Sequence, residues 1–451
     1  MQQNMTAGPI LPVILRFTLP LFAGNIFQQF YNMADTIIVG RCLGAQALAA
    51  VGATSTVSFL LLGFAMGLAT GFAVLTAQTF GAKDERGVRI SVANGFMLTL
   101  LFSVLLTAAG LAGVPRLLVL MRTPADILPD AQLYMRIICQ GLAASMFYNL
   151  FSAFLRAVGN SRAPLFFLIF SSCLNILLDF LFIIRFGMGV DGAAFATVLS
   201  QGLSAVLCLL YIGARVRVLV PAREHWGIHP EETAHQLRMG IPMALQFAVT
   251  ASGTVMEQAA INQFGSVAVA AFTAAWRIQN ILTQGMVAMG QTMATFCGQN
   301  FGSRNLARIR EGVRTAVRIE ILYSAAAGIA SIIFLPLFMR LFFSGDTDLA
   351  ALMPWARTYT VLCAVFFIPL SFIFLFRNAM QGCSYSFLPL MGGVIEMAAR
   401  TLCAAAGIYA HSYLLSAGCD GAAWITAGLF TLFAYRYMMR QLEEKQRFSE
   451  L

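Results

Sequence analysis

Along this chain, long apolar runs alternate with short polar interruptions. Twelve runs approach or exceed the about 20 residues an α-helix needs to cross a bilayer. They lie at approximately 10–35, 47–76, 91–114, 132–155, 163–184, 192–214, 238–262, 270–297, 314–338, 355–376, 386–409 and 417–437. The runs are continuous and rich in Leu, Phe and Ala. A transmembrane β-barrel would show segments of about ten residues with alternating polarity instead. The pattern predicts an all-α integral membrane protein with twelve transmembrane helices.

Composition agrees. Of 451 residues, 59% are hydrophobic and 11% charged, against roughly 25% charged in soluble proteins. So little polar surface cannot cover a soluble globule, and so much apolar surface excludes a disordered chain. The net charge of +9 is a topology signal, because the basic residues fall in alternate loops. Lys83, Arg86 and Arg89 share one loop, Arg215, Arg217 and Arg223 another, and Arg304, Arg308, Arg310 and Arg314 a third. Arg436, Arg440, Lys445 and Arg447 end the chain. The opposite side carries only a scatter, such as Arg41, Arg116, Arg122, Arg185 and Arg340. Positive loops stay cytoplasmic, so both termini are expected inside a cell membrane. Charges spread over such loops are no nucleic-acid footprint. The first run is long enough to span and is expected to act as its own insertion signal. The nine cysteines show no ligand spacing; those within helices, such as Cys139, Cys173, Cys208 and Cys363, read as small buried hydrophobes.

The chain is also written twice. Leu15-Arg16-Phe17-Thr18-Leu19-Pro20 returns as Leu237-Arg238-Met239-Gly240-Ile241-Pro242, and the same offset carries Asp35 onto Glu257. Gln78-Thr79-Phe80-Gly81-Ala82-Lys83 returns as Gln299-Asn300-Phe301-Gly302-Ser303-Arg304, and Asp191-Gly192-Ala193-Ala194 as Asp420-Gly421-Ala422-Ala423. Six helices per half preserve orientation, so the repeats are parallel. Two such lobes around a cavity are a transporter architecture that works by rocking. The expected division is an N-terminal lobe over 1–214, a cytoplasmic linker over 215–236, a C-terminal lobe over 237–440 and a cytoplasmic tail over 441–451.

Four acids are singled out inside the spans: Asp35, Asp179, Glu257 and Glu396. Each costs on the order of 2.5–3.5 kcal/mol at a helix centre, which marks it as a candidate for function. Helix direction places Asp35, Tyr134, Asn175, Asp179 and Thr197 at one level, in the outer half of the first lobe. Asn175 and Asp179 lie one turn apart on one face. Two carboxyls, an amide, a hydroxyl and a phenol in low dielectric suit either a proton or a sodium ion. In the second lobe Glu396 and Arg400 stand four apart and can neutralise each other. Glu257 has no such neighbour, and is either a counter-charge for substrate or a second coupling site. Gln28, Tyr31 and Asn149 add polar groups that suit substrate binding. Pro20, fifteen residues before Asp35, removes a backbone hydrogen bond and can couple protonation to cavity shape by a bend. Gly63, Gly67 and Gly71 form a stripe for close helix packing.

These residues together resemble the multidrug and toxic compound extrusion (MATE) family, most of all its bacterial and archaeal DinF-like branch. The resemblance covers about residues 9–440. It rests on the two six-helix repeats and on Leu19-Pro20, Asp35, Gly40 and Gly44. It rests also on Gln78-Thr79-Phe80-Gly81-Ala82, on Arg156-Ala157-Val158-Gly159-Asn160 and on Gln299-Asn300-Phe301-Gly302. It implies a V-shaped pair of bundles that exports cationic, amphipathic compounds in exchange for H+ or Na+. A monomer without a cofactor is expected. In that branch the cation site would comprise Asp35, Asn175, Asp179 and Thr197, with Tyr134 nearby. In the NorM-like branch Glu257 would pair with an acid on helix 10, but Val365-Phe366-Phe367-Ile368-Pro369-Leu370-Ser371-Phe372 offers none. A lipid-linked oligosaccharide flippase of the same superfamily is the alternative. Such flippases need a cationic cavity and often two further helices, whereas the charges inside this membrane domain are mainly acidic. An enzyme is not expected, since no nucleophile, metal cluster or cofactor motif stands in the spans.

Overall fold

The computed structural model describes residues 4–121, 123–227, 229–343 and 349–450. Arg122 lies outside them. The described chain is helical: α1 (Ile10–Gly81), α2 (Glu85–Leu120), α3 (Leu128–Gln140), α4 (Leu142–Ala157), α5 (Arg162–Asp179), α6 (Val190–Arg215), α7 (Pro230–Asn262), α8 (Gly265–Leu282), α9 (Gln284–Gly302), α10 (Leu306–Phe342), α11 (Leu349–Gly382), α12 (Phe387–Tyr409), α13 (Tyr413–Ala417) and α14 (Cys419–Glu450).

Among the described residues, eight helices are long and apolar enough to cross a membrane, or nine if α3 and α4, bent by 49°, form one span. The twelve expected runs divide differently for local reasons. At 72 residues and about 1.5 Å per residue, α1 would be over three times the thickness of a hydrocarbon core of about 30 Å. It is two arms joined at Gly44, whose backbone (φ 87, ψ −179) is not helical. The expected run 270–297 is interrupted at Thr283, between α8 and α9. α14 carries Asp420 in its first turn and ends in a charged tail.

Apart from Gly8, the left-handed backbone positions of the described residues come in pairs. Gly44 and Gly265 (φ 87 and 85) lie 221 residues apart, as do Lys83 and Arg304 (φ 60 and 57). Gly159 and Ser384 (φ 81 and 66) are 225 apart, and Gly187 and His411 (φ 66 and 49) are 224 apart. The second pair closes the matching Gln-x-Phe-Gly motifs. After each motif the helix ends in the same two hydrogen bonds: Lys83 N to Phe80 O and Asp84 N to Thr79 O, then Arg304 N to Phe301 O and Asn305 N to Asn300 O. Asp84 and Asn305 then cap α2 and α10 by accepting from Gly87 N and Arg308 N. This is a C-terminal reversal followed at once by an N-cap, the shortest turn that reverses a helix with its end groups satisfied.

The chain forms two compact units, one from residues 4–6 and Leu19–Phe247, the other from Ala7–Thr18 and Ala248 onward. Residues 215–236 belong to the first. That unit also keeps the opening of α7, because the glycine stripe of α1 lies directly on it. A Cβ at Gly67 would stand 2.6 Å from Ala244 Cα, and one at Gly71 2.4 Å from Gly240 Cα. Only glycine permits such an approach, as the stripe predicts. The second unit keeps the start of α1: the Thr18 and Thr292 hydroxyls share a hydrogen bond of 2.8 Å, and Arg308 donates to Ala7 O at 3.0 Å. All nine cysteines are free. Cys139, Cys208 and Cys363 are buried as expected, but Cys173 is exposed, on the outward face of α5.

Because Gly71 faces backbone that cannot yield, Gly71→Ala should destabilise the protein by roughly 1–3 kcal/mol. Gly113→Ala, whose Cβ would meet nothing within 4 Å, should not. Melting temperatures of the two variants in detergent check this; equal values would show that the close approach contributes nothing.

Candidate functional site

In the first unit α5 carries Asn175 and Asp179 one turn apart, and both are buried. Asn175 Nδ2 donates to Thr197 Oγ1 on α6 at 3.4 Å, and Thr197 Oγ1 reaches Ala193 O at 3.0 Å. The half-buried Asp35 of α1 stands beside Asp179, close enough for the two carboxyls to interact directly, while its Oδ1 atom is buried without a partner. Tyr31, one turn before Asp35, hydrogen-bonds the Thr197 side chain, and the Tyr134 phenol lies close enough to interact electrostatically with both carboxyls. The five residues expected at one level therefore meet, and Tyr31 joins them from the group expected to bind substrate.

The arrangement has a clear chemical consequence. Two unit charges about 4 Å apart repel by about 4 kcal/mol at an effective dielectric of about 20. A hydrogen bond between two carboxyls also needs a proton on one of them. Asp35 and Asp179 are thus stable together when they hold one proton or flank one small cation. Immediately after Asp179 the helix widens into one π-helical turn, Phe180–Arg185, with Phe186 N bonded to Leu181 O five residues back. Such turns are rare and concentrate at functional sites.

Other expected residues lie apart from this group. Gln28 is exposed. Asn149 is half-buried and donates to Ser145 O of its own helix at 2.8 Å. The backbone of α1 stays helical through Pro20, and its one non-helical residue is Gly44, nine residues beyond Asp35.

The second unit holds a different cluster. Arg400 of α12 lies among three carboxylates: NH2 is 2.5 Å from Asp420 and 3.4 Å from Glu396, and Nε is 3.7 Å from Glu257. All four side chains are buried. Tyr359 donates to Asp420 Oδ2 at 2.7 Å and is also bonded to Gln279 Oε1. Two expectations change. Glu257 does have a basic neighbour, supplied by another helix rather than its own. The Glu396–Arg400 pair is not self-contained, since one guanidinium is shared by three acids. Fully ionised, the cluster carries two negative charges in excess, an excess that a proton or a cation would relieve.

Sequence reasoning passed over Asp420, Tyr359 and Gln279, which are scattered over α14, α11 and α8. Asp420 did stand out, as part of the repeated Asp-Gly-Ala-Ala motif, but only as a marker of the repeat. It also passed over Glu320, which lies within the expected ninth span and is 2% exposed.

The MatE family model matches residues 20–181 and 242–405. The chain is 34% identical over 309 residues to "Probable multidrug resistance protein YpnP" of Bacillus subtilis, a match spanning 68% of each chain. It is 26% identical over 340 residues to "Probable multidrug resistance protein NorM" of Thermotoga maritima, covering 73% of this chain and 72% of that one. Its fold superposes on a crystal structure of MATE in complex with MaL6, with a TM-score of 0.89 over 98% of this chain and 99% of the other at 22% identity. It superposes equally on a MOP superfamily transporter from Pyrococcus furiosus, with a TM-score of 0.90 over 98% of each chain at 23% identity.

Removing the hub of the second cluster strands three buried carboxylates, so Arg400→Gln should cost roughly 3–5 kcal/mol of stability. Tyr359→Phe removes one hydrogen bond to a charged group and should cost about 1.5–3 kcal/mol. Yield and thermal unfolding of the purified variants test the order; an Arg400→Gln protein as stable as the parent would show that the acids do not depend on it.

Proposed function

Because the chain belongs to the MATE family of multi-pass membrane transporters, we propose that it is a secondary active multidrug exporter that expels cationic, amphipathic compounds in exchange for H+ or Na+. The observation that supports the coupling is the close approach of the Asp35 and Asp179 carboxyls. With a proton or Na+ bound between them the two helices are held together; without it the charges repel. Asn175 and Thr197 offer oxygens to a cation, and Tyr31 and Tyr134 can donate to a carboxylate once the ion has left. Occupancy thereby alters how α1 and α5 pack, which is what a coupling site must do to favour one access state over another. A bend of α1 near Pro20 is the proposed conformational element.

In this reading the chain crosses the membrane twelve times. The two arms of α1 count separately, and the short pairs α3–α4 and α8–α9 count once each. The paired left-handed residues support two repeats of six, with Gly44 and Gly265 at corresponding breaks. The basic loops then share one side with both termini, which we assign to the cytoplasm of a cell membrane. The halves would alternate access by moving against each other. The acid excess around Arg400 supplies the negative field that a cationic substrate needs, with Glu257 its closest candidate counter-charge; Gln28 and Asn149 are proposed to line the substrate path.

The test is ethidium export from liposomes containing the purified protein, with pH and Na+ gradients imposed separately. One gradient should drive export, and Asp35→Asn should reduce the initial rate to that of empty liposomes while leaving the melting temperature within a few degrees. Full gradient-driven export by Asp35→Asn would remove the carboxyl pair from the mechanism.

A further inference from the structure

Buried positions along α10 follow the three-and-four spacing of a helix seam: Val313, Ala316, Glu320, Ser324, Ala327, Ser331 and Leu335. Four are apolar, as seam positions should be. Glu320, Ser324 and Ser331 are not; the Ser331 hydroxyl donates to Gly328 O at 2.7 Å, while Glu320 and Ser324 sit one turn apart at the centre, 2% and 1% exposed. Glu320 Oε2 and Ser324 Oγ are both buried with no hydrogen-bond partner among the described residues. Neither pairs with the other, although the spacing lets them meet.

The surroundings supply no counter-charge. α10 packs on α8, α9 and α11. Its register against α9 is set by the Tyr323 ring lying on Gly285 and the Phe296 ring lying on Gly312, which puts Glu320 beside the first half of α9. α9 has no charged residue, and Cys297 is its one titratable group. α8 offers only Arg277, which is exposed. α11 offers Arg357, which is exposed, the half-buried Arg377, and Tyr359 and Cys363, which face Gln279. On α10 itself Arg314 and Arg318 are exposed, and the Tyr323 hydroxyl donates to Leu282 O at 2.7 Å. Arg16, on the arm of α1 that belongs to this unit, is also exposed. No ion pair among the described residues includes Glu320.

A buried carboxylate with neither a basic partner nor a hydrogen bond is among the most costly groups a fold can hold, whereas the neutral acid is tolerable. We propose that Glu320, with the Ser324 hydroxyl one turn on, is a second proton-carrying site, housed in the second unit and separate from the Asp35–Asp179 pair. In the packed seam Glu320 is the neutral acid. When the seam admits water, the proton passes to that water, and the carboxylate left behind accepts a hydrogen bond from Ser324 Oγ. Closing the seam requires the proton back. The role in transport rests on the coupled-export reading, to which it adds a proton that the first site does not carry.

Infrared difference spectroscopy on the full-length protein in lipid, followed through a pH titration, reads this site without transport. A carboxylic C=O band that titrates should be present in the parent and in Asp35→Asn and absent in Glu320→Gln. Ser324→Ala should keep the band and shift its midpoint. If Glu320→Gln does not fold, Glu320→Asp replaces it, and the band should move in frequency. A parent band that persists unchanged in the Glu320 variant, or a Glu320 band that never titrates, would overturn the proposal. In liposomes Glu320→Gln should export dye with fewer protons exchanged per molecule; an unchanged ratio would refute the coupling role. If the parent moves no dye under either gradient while the Glu320 band still titrates, the export reading fails and the proton site stands.

Discussion

A carboxyl group inside hydrocarbon needs a cation, a proton, or a second carboxyl with which to share one, and the buried chemistry of this chain follows from that requirement. The three solutions occupy three places. Asp35 and Asp179 stand within reach of each other. Glu257, Glu396 and Asp420 crowd one guanidinium. Glu320 has no charged partner among the described residues. The first and third are neutral only by holding a proton or a cation, so their charge can change in use. The second contains its own cation and is the most firmly built, with Tyr359 donating to the same Asp420 that Arg400 grips.

In the first unit α1 is positioned on α7 by contact between backbones. Gly67 and Gly71 bring α1 onto α7 at a distance no side chain allows. The paired left-handed turns end and restart helices at corresponding points of the two halves. Close packing of this kind is the main adhesive available between helices in lipid, where the hydrophobic effect no longer separates core from surroundings.

Much of the first site was legible in the sequence because helical spacing is local. Asn175 and Asp179 must share a face, and a stepwise account of helix direction is enough to bring Asp35, Thr197 and Tyr134 to their depth. The second cluster was not legible, because Asp420 and Glu257 reach Arg400 from helices 20 and 143 residues away in the chain, and no spacing rule spans such a distance. Glu320 was hidden by its company: it lies near the start of the expected ninth span, just after Arg314 and Arg318, where charged residues are ordinary. Only the seam pattern of α10 separates the acid that turns inward from the bases that turn out. The long apolar runs were plain, but where each ends depends on single residues such as Gly44 and Thr283, whose effect on a helix is decided by the packing around them.

The π-helical turn after Asp179 has a consequence of its own. Such a turn contains one residue more than an α-helical ladder needs. If the surplus moves along the helix by a turn, the hydrogen bonds re-form behind it, and the residues it passes rotate by about 100° about the axis. Asp179 is the last residue ahead of that surplus. α5 therefore stores, next to its one acid, a dislocation whose passage would turn the carboxyl while the helix remains intact.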